Sequence, residues 1–213
     1  MVRRRAERAV TREVSLDEAM DRYAQGDDSA FAVLYEGLEL KLRTFLLRLS
    51  GAVPIAEDLL QETFMRMHRA RGGFERGARV VPWAYAIARN AWLDHARSAY
   101  VRVQREGERQ RGAHADSDPP GAHEPLAGPE ADSEQAAIAR EMALIVERVL
   151  AELPPAQREA FVLLRYEGLS VQEAADVLGS TPTAVKLRAF RAYEALRAAL
   201  GSRPVVGGGG DGE

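Results

Sequence analysis

Between Gly112 and Gln135 the chain reads GAHADSDPPGAHEPLAGPEADSEQ, with four prolines and Leu126 as its one large apolar residue. Residues 112–136 carry six carboxylates and no Lys or Arg, a local charge of −6. Such a stretch cannot bury enough apolar surface to offset the entropy of ordering it, so it is expected to be a flexible acidic linker. It cuts the 213 residues into two blocks, about 16–105 and 137–200, each the size of a small domain.

Both blocks read as helix. Ala, Leu, Arg, Glu and Met dominate, and almost nothing alternates with the period of a strand. Helical patterns run over about 16–25, 28–50, 54–71 and 82–105, broken at YAQGDD, LSGAVP and RGGFERGARVVP, where Gly and Pro punctuate. Pro54 and Pro82 stand where first turns begin. The tail SRPVVGGGGDGE is Gly-rich and expected to be disordered. The expected fold is all-α: two small helical domains joined by a flexible acidic linker.

Composition excludes several classes. There is no cysteine, so disulfides and thiolate metal sites are ruled out. No apolar run approaches the ~20 residues of a membrane helix. No apolar h-region follows the basic N-terminus, so a soluble, cytoplasmic protein is expected. Net charge is −3, but it is unevenly spread. Residues 1–12 hold five Arg against one Glu, and residues 97–111 five Arg against two Glu. The histidines, at 68, 95, 114 and 123, lack metal-ligand spacing, and Asp94 and His95 diverge by about 100° on a helix. There is no Gly-rich phosphate loop. Catalytic residues, metal site and cofactor are all expected to be none.

Two stretches invite a functional reading. In IAEDLLQETFMRM, Leu60, Thr63, Phe64 and Met67 fall on one side of a helix, and Asp58, Gln61, Glu62 and Met65 on the other. The second stretch, GLSVQEAADVLGSTPTAVKLRAFRAYEALR, is two helices around a short turn. Ser170 and Glu173 make an S-x-x-E capping box, and Gly179 ends that helix. Thr181 caps the next helix, and Pro182 takes its first position. Val185, Ala189, Ala192 and Leu196 form the buried seam. Thr183, Leu187, Phe190, Arg191 and Glu194 face outward, with Lys186 and Arg188 on the flanks. From 181 to 200 four basic residues stand against one Glu, which suits a major groove.

EDLLQETF, WAYAIARNAWLDHAR and LPPAQREAFVLLRYEGLSVQEAADVLGSTPTAVKLRAFRAYEALR, in this order, resemble bacterial sigma factors of the sigma-70 family, specifically the small extracytoplasmic-function (ECF) type. The resemblance covers about 26–105 and 138–200. It implies an N-terminal extension (1–25), sigma domain 2 (26–105), a linker (106–137), sigma domain 4 (138–200) and a disordered tail (201–213).

The resemblance also implies partners and sites. Asp58, Gln61, Glu62 and Met65 would dock on the coiled coil of the largest subunit of core RNA polymerase, with the flap region a further polymerase contact. An acidic patch repels DNA and attracts a basic protein surface. The helix from Trp83 to Arg97 and the loop before it would capture unstacked bases of the minus-ten element, using Phe74, Arg76, Arg79, Arg89, Asn90, Trp92, Asp94 and Arg97. Trp83, Ile87 and Ala91 are expected to face inward. Arg89, Arg97 and Trp92 are expected outside, Trp92 and Tyr100 serving as stacking platforms. Thr183, Lys186, Leu187, Arg188, Phe190 and Arg191 would meet the minus-thirty-five element. Leu187 stands where family members often have Ser, so the promoter sequence does not carry over. An anti-sigma factor is a further partner of the family, although no residue here identifies one. The alternatives are a sigma-like decoy or adaptor that binds polymerase without initiating, and a stand-alone helix-turn-helix regulator.

Overall fold

Ser15 starts the first helix of the computed structural model, which describes residues 15–110 and 134–201. Its hydroxyl accepts the Glu18 N–H, and the Glu18 carboxylate accepts the Ser15 N–H, closing a capping box. Helix α1 (Leu16–Ala24) buries Ala19, Met20 and Tyr23 and turns Asp17 and Asp21 toward the loop ahead of α4. Those carboxylates accept the Val80 N–H at 2.8 Å and the Gly77 N–H at 3.0 Å, fixing the start of α4. A short 3-10 turn leads into α2 (Phe31–Ser50), which ends at Gly51 with φ 72°. Then come α3 (Val53–Ala70) and α4 (Val80–Gln110).

Leu34, Leu38, Leu42, Phe45 and Leu46 of α2 are fully buried against α3 and α4, with the Phe45 ring edge-on to Tyr85 at 5.0 Å. Truncating Phe45 to Ala would cost about 3–5 kcal/mol, through lost transfer energy and the cavity left behind.

The second half holds α5 (Glu134–Glu152), α6 (Pro155–Arg165), α7 (Val171–Leu178) and α8 (Pro182–Gly201). Here the local grammar holds. Ser170 and Glu173 close their capping box, Gly179 ends α7 at φ 56°, and the Thr181 hydroxyl accepts the Ala184 N–H at 3.2 Å. Val185, Ala189, Ala192 and Leu196 are buried, and Leu196 joins Leu150, Leu153 and Phe161 in a satellite core.

The two halves also dock. Helix α4 packs on α7 and α2 on α6, and one apolar cluster runs through both halves. On α4 the buried residues are Val80, Ala84, Tyr85, Ala88 and Ala91, while Trp83 and Ile87 are half-buried and pack against the same core. A helix packed on α2, α3 and α7 buries a wider arc than a one-sided surface helix. Helix α4 also runs to Gln110 and α5 starts at Glu134, so both enter the expected linker span 106–137. The Arg-rich N-terminus, the acidic stretch 111–133 and the Gly-rich tail lie outside the described residues.

Candidate nucleic-acid and partner interfaces

The outer face of α3 carries Asp58, Gln61 and Met65, all exposed. Glu62 is half-buried and engaged: Arg66 Nε lies 2.7 Å from its carboxylate and Arg69 4.0 Å. Arg66 also reaches Asp94 of α4 at 2.7 Å, and these two carboxylates hold its guanidinium above the usual arginine range.

Beside this face lies a groove of about 730 Å³. Its floor is aromatic, with Tyr35 and Phe64 ring centroids 4.8 Å apart and Phe31 edge-on to Phe64 at 6.0 Å. Tyr23 Oη and Arg71 Nη1 both meet His68 Nδ1, at 2.6 and 2.7 Å. Phe31 and Tyr35 stand four apart on α2, a spacing that puts two rings on one face. That aromatic pair is the available signal. The result is an apolar slot whose rim carries Asp58 and Arg69 together with Asp28, paired with Arg71 at 3.3 Å, and Glu57, paired with Arg43 at 3.2 Å.

The second interface is the first half of α4 and the loop before it. Arg76, Asn90 and Arg97 are exposed. Asp94 is half-exposed and bridged by Arg66 and by Arg97 at 3.5 Å. Tyr100 is 64% exposed. Phe74 is half-buried and packs edge-on against Trp83 at 5.1 Å.

Two expected orientations are corrected here. Trp92 is half-buried against the main core rather than facing outward. Arg89 is not available outside: its Nε lies 2.6 Å from the carboxylate of Glu159 in α6, with side-chain exposures of 19% and 3%. Arg79, also expected on DNA, reaches Asp17 at 3.3 Å and Glu173 of α7 at 3.4 Å. Neither Glu partner is visible in the sequence, because Arg89 and Glu159 stand 70 residues apart and Arg79 and Glu173 further still.

The third interface is α8. Thr183, Lys186, Leu187, Phe190 and Arg191 are exposed on one outer surface, and Arg188 is half-buried beside them. Leu187 and Phe190 are 49% and 58% exposed, an apolar patch among cations. Tyr193 leans away from them, edge-on to Phe161 at 5.0 Å.

A further polar cluster closes the seam between the halves. The Tyr85 hydroxyl donates to Glu167, which also faces Arg48 at 3.4 Å. The Arg48 guanidinium stacks over Tyr166 at 3.9 Å. Burial pushes the Glu167 carboxyl up, against the opposing pull of Tyr85, Arg48 and Lys41, and it pushes the Tyr85 phenol up as well.

Among the described residues every element is helical, with a capped helix-turn-helix in one half and an aromatic groove in the other. Comparison with known proteins identifies the class. The family model for sigma-70 region 2 matches residues 34–101, and that for sigma-70 region 4 matches residues 143–196. The chain is 36% identical over 185 residues to RNA polymerase sigma factor CarQ of Myxococcus xanthus, covering 85% of this chain and 95% of that protein. It is 32% identical over 186 residues to ECF RNA polymerase sigma factor SigF of Caulobacter vibrioides, covering 86% and 93%. Among solved structures it matches the sigma factor RpoE of Bartonella quintana, in complex with the anti-sigma factor NepR, with TM-score 0.61 and 26% identity over 82% of this chain and 98% of that one. The chain belongs to the ECF group of the sigma-70 family.

Proposed function

We propose that this sigma factor binds core RNA polymerase through the α3 face and directs it to promoters by reading a minus-ten element with α4 and a minus-thirty-five element with α8. The observation that carries the reading is the pairing of an aromatic groove on region 2 with a helix-turn-helix on region 4 in one chain.

The groove residues Phe31, Tyr35 and Phe64 take an apolar anchor from the polymerase coiled coil, and Asp58 and Gln61 meet its basic flank. Buried aromatic contact supplies most of the affinity, and the rim charges set encounter rate and orientation. On α8, Lys186 and Arg191 contact phosphates, while Thr183, Leu187 and Phe190 approach base edges, the apolar pair suiting thymine methyl groups. On α4, Asn90 and Arg97 with Arg76 of the loop hold the displaced strand, and Tyr100 offers a stacking surface. The polymerase performs the chemistry; this chain is not an enzyme and needs no cofactor. Its place is the cytoplasm with polymerase. Among the described residues no helix is long and apolar enough to cross a membrane. The RpoE complex with NepR supports an anti-sigma protein as a further partner.

Size-exclusion chromatography with purified core polymerase tests the docking. The wild-type chain is expected to co-elute at moderate ionic strength, and Asp58→Arg to elute alone. Co-elution of both would move the docking away from this face.

A further inference from the structure

Residues 74–79 form the loop before α4, with Glu75, Arg76, Gly77 and Arg79 exposed. One turn closes locally: the Ala78 N–H donates to the Glu75 carbonyl oxygen at 3.0 Å, and Gly77 takes φ 77°, in the left-handed region. An exposed loop of this kind ordinarily samples several paths. Two half-buried carboxylates of α1 hold this one to a single path. Asp21 Oδ1 accepts the Gly77 N–H at 3.0 Å. Asp17 Oδ1 accepts the Val80 N–H at 2.8 Å, and its Oδ2 lies 3.3 Å from Arg79 Nε.

The placement is specific. Asp17 and Asp21 stand four apart on α1, which sets both on one helix face. They meet backbone N–H groups 63 and 56 residues further along the chain. A carboxylate that accepts a backbone N–H makes a charge-assisted bond, stronger than one between neutral groups. The helix dipole accounts for an acid in the first turn, where Asp17 stands, but not for Asp21 a turn later. Beside a surface that meets DNA, a carboxylate also repels phosphate, so these two oppose affinity unless they serve another end. That end is the main chain. The bonds finish on backbone, leaving the Arg76 side chain exposed and the Phe74 ring edge-on to Trp83 at 5.1 Å.

We propose that Asp17 and Asp21 are positioning residues for strand capture. They hold the loop before α4 in the path that lets Arg76 and the α4 face meet unpaired minus-ten bases, acting through the loop rather than on DNA. This rests on the promoter reading above and deepens it.

Two readouts separate this role from a plain contribution to stability. In the full chain, hydrogen exchange at the Gly77 amide should quicken about tenfold in Asp21→Ala, as expected for loss of a bond to a charged acceptor. Trypsin should then cut sooner after Arg76. Asp17→Ala should act likewise at the Val80 amide. Asp21→Asn keeps an oxygen to accept the Gly77 N–H and should stay within about twofold of wild type. Leu46→Val, in the buried core of α2, should lower the melting temperature yet leave Gly77 exchange unchanged.

The second readout uses holoenzyme reconstituted with core polymerase, at the start sites that the wild-type chain selects on host genomic DNA. Permanganate reactivity of unpaired thymines should fall about fivefold or more in Asp21→Ala, the cost of ordering the loop anew. Co-elution with core polymerase should be unchanged, and Asp21→Asn and Leu46→Val should open DNA as wild type does. Equal Gly77 exchange in wild type and Asp21→Ala would overturn the proposal. So would a loosened loop with undiminished thymine reactivity, or loss of co-elution in Asp21→Ala. Absence of start sites with the wild-type chain would refute the promoter reading itself, and this role for the loop with it.

Discussion

Gly179 shows how much one residue decides. It ends α7 at φ 56°, in the left-handed region where a Cβ meets the following carbonyl, and that bend aims α8 outward. Gly179→Ala should lower stability by about 1 kcal/mol, read as a shift in urea midpoint with unchanged slope. Glu167 makes a second prediction at this scale, through pH. Burial lifts its carboxyl above the ordinary 4.5 in the folded chain, so that state binds the proton more tightly than solvent-exposed Glu167 does. The stabilisation from this group is full below about pH 4.5 and fades as pH rises through the elevated value. Tyr85, Arg48 and Lys41 face the same group, so the comparison must isolate it. Wild type should gain stability relative to Glu167→Gln as pH falls from neutral toward 4.5. A constant difference would contradict the assignment.

The elements differ in how openly their sequence announces them. Ser170, Glu173, Gly179, Thr181 and Pro182 act within a few residues of one another, so the helix-turn-helix is legible from local sequence alone. The outward set Asp58, Gln61 and Met65 on α3 is legible for the same reason, since helical period alone fixes the face. The α4 face is not. Its period is blurred by packing on α2, α3 and α7, so Tyr85 is buried and Trp83 only half so. The aromatic groove stays hidden because its rings come from α1, α2 and α3, whose approach no local rule specifies. The prediction belonging to α8 concerns the phosphate contacts proposed for it. Lys186→Ala or Arg191→Ala should weaken binding of the minus-thirty-five duplex and reduce the slope of log affinity against log salt by about 0.9 for each lost contact. An unchanged slope would remove that residue from the DNA.

At the scale of the whole molecule, two helical bundles are readable from the acidic stretch that separates them in sequence, but their docking is not. Arg89 finds Glu159 and Tyr85 finds Glu167 across separations of 70 and 82 residues, and no periodicity marks such pairs. The proposed function is a division of labour: one half of the chain anchors to polymerase, and each half reaches its own promoter element. The most direct measurement is run-off transcription by purified core polymerase on fragmented genomic DNA of the host, with wild-type or Asp58→Arg chain. Defined start sites with the wild type, lost with Asp58→Arg, are the predicted result; no start site dependent on the wild-type chain would contradict the account.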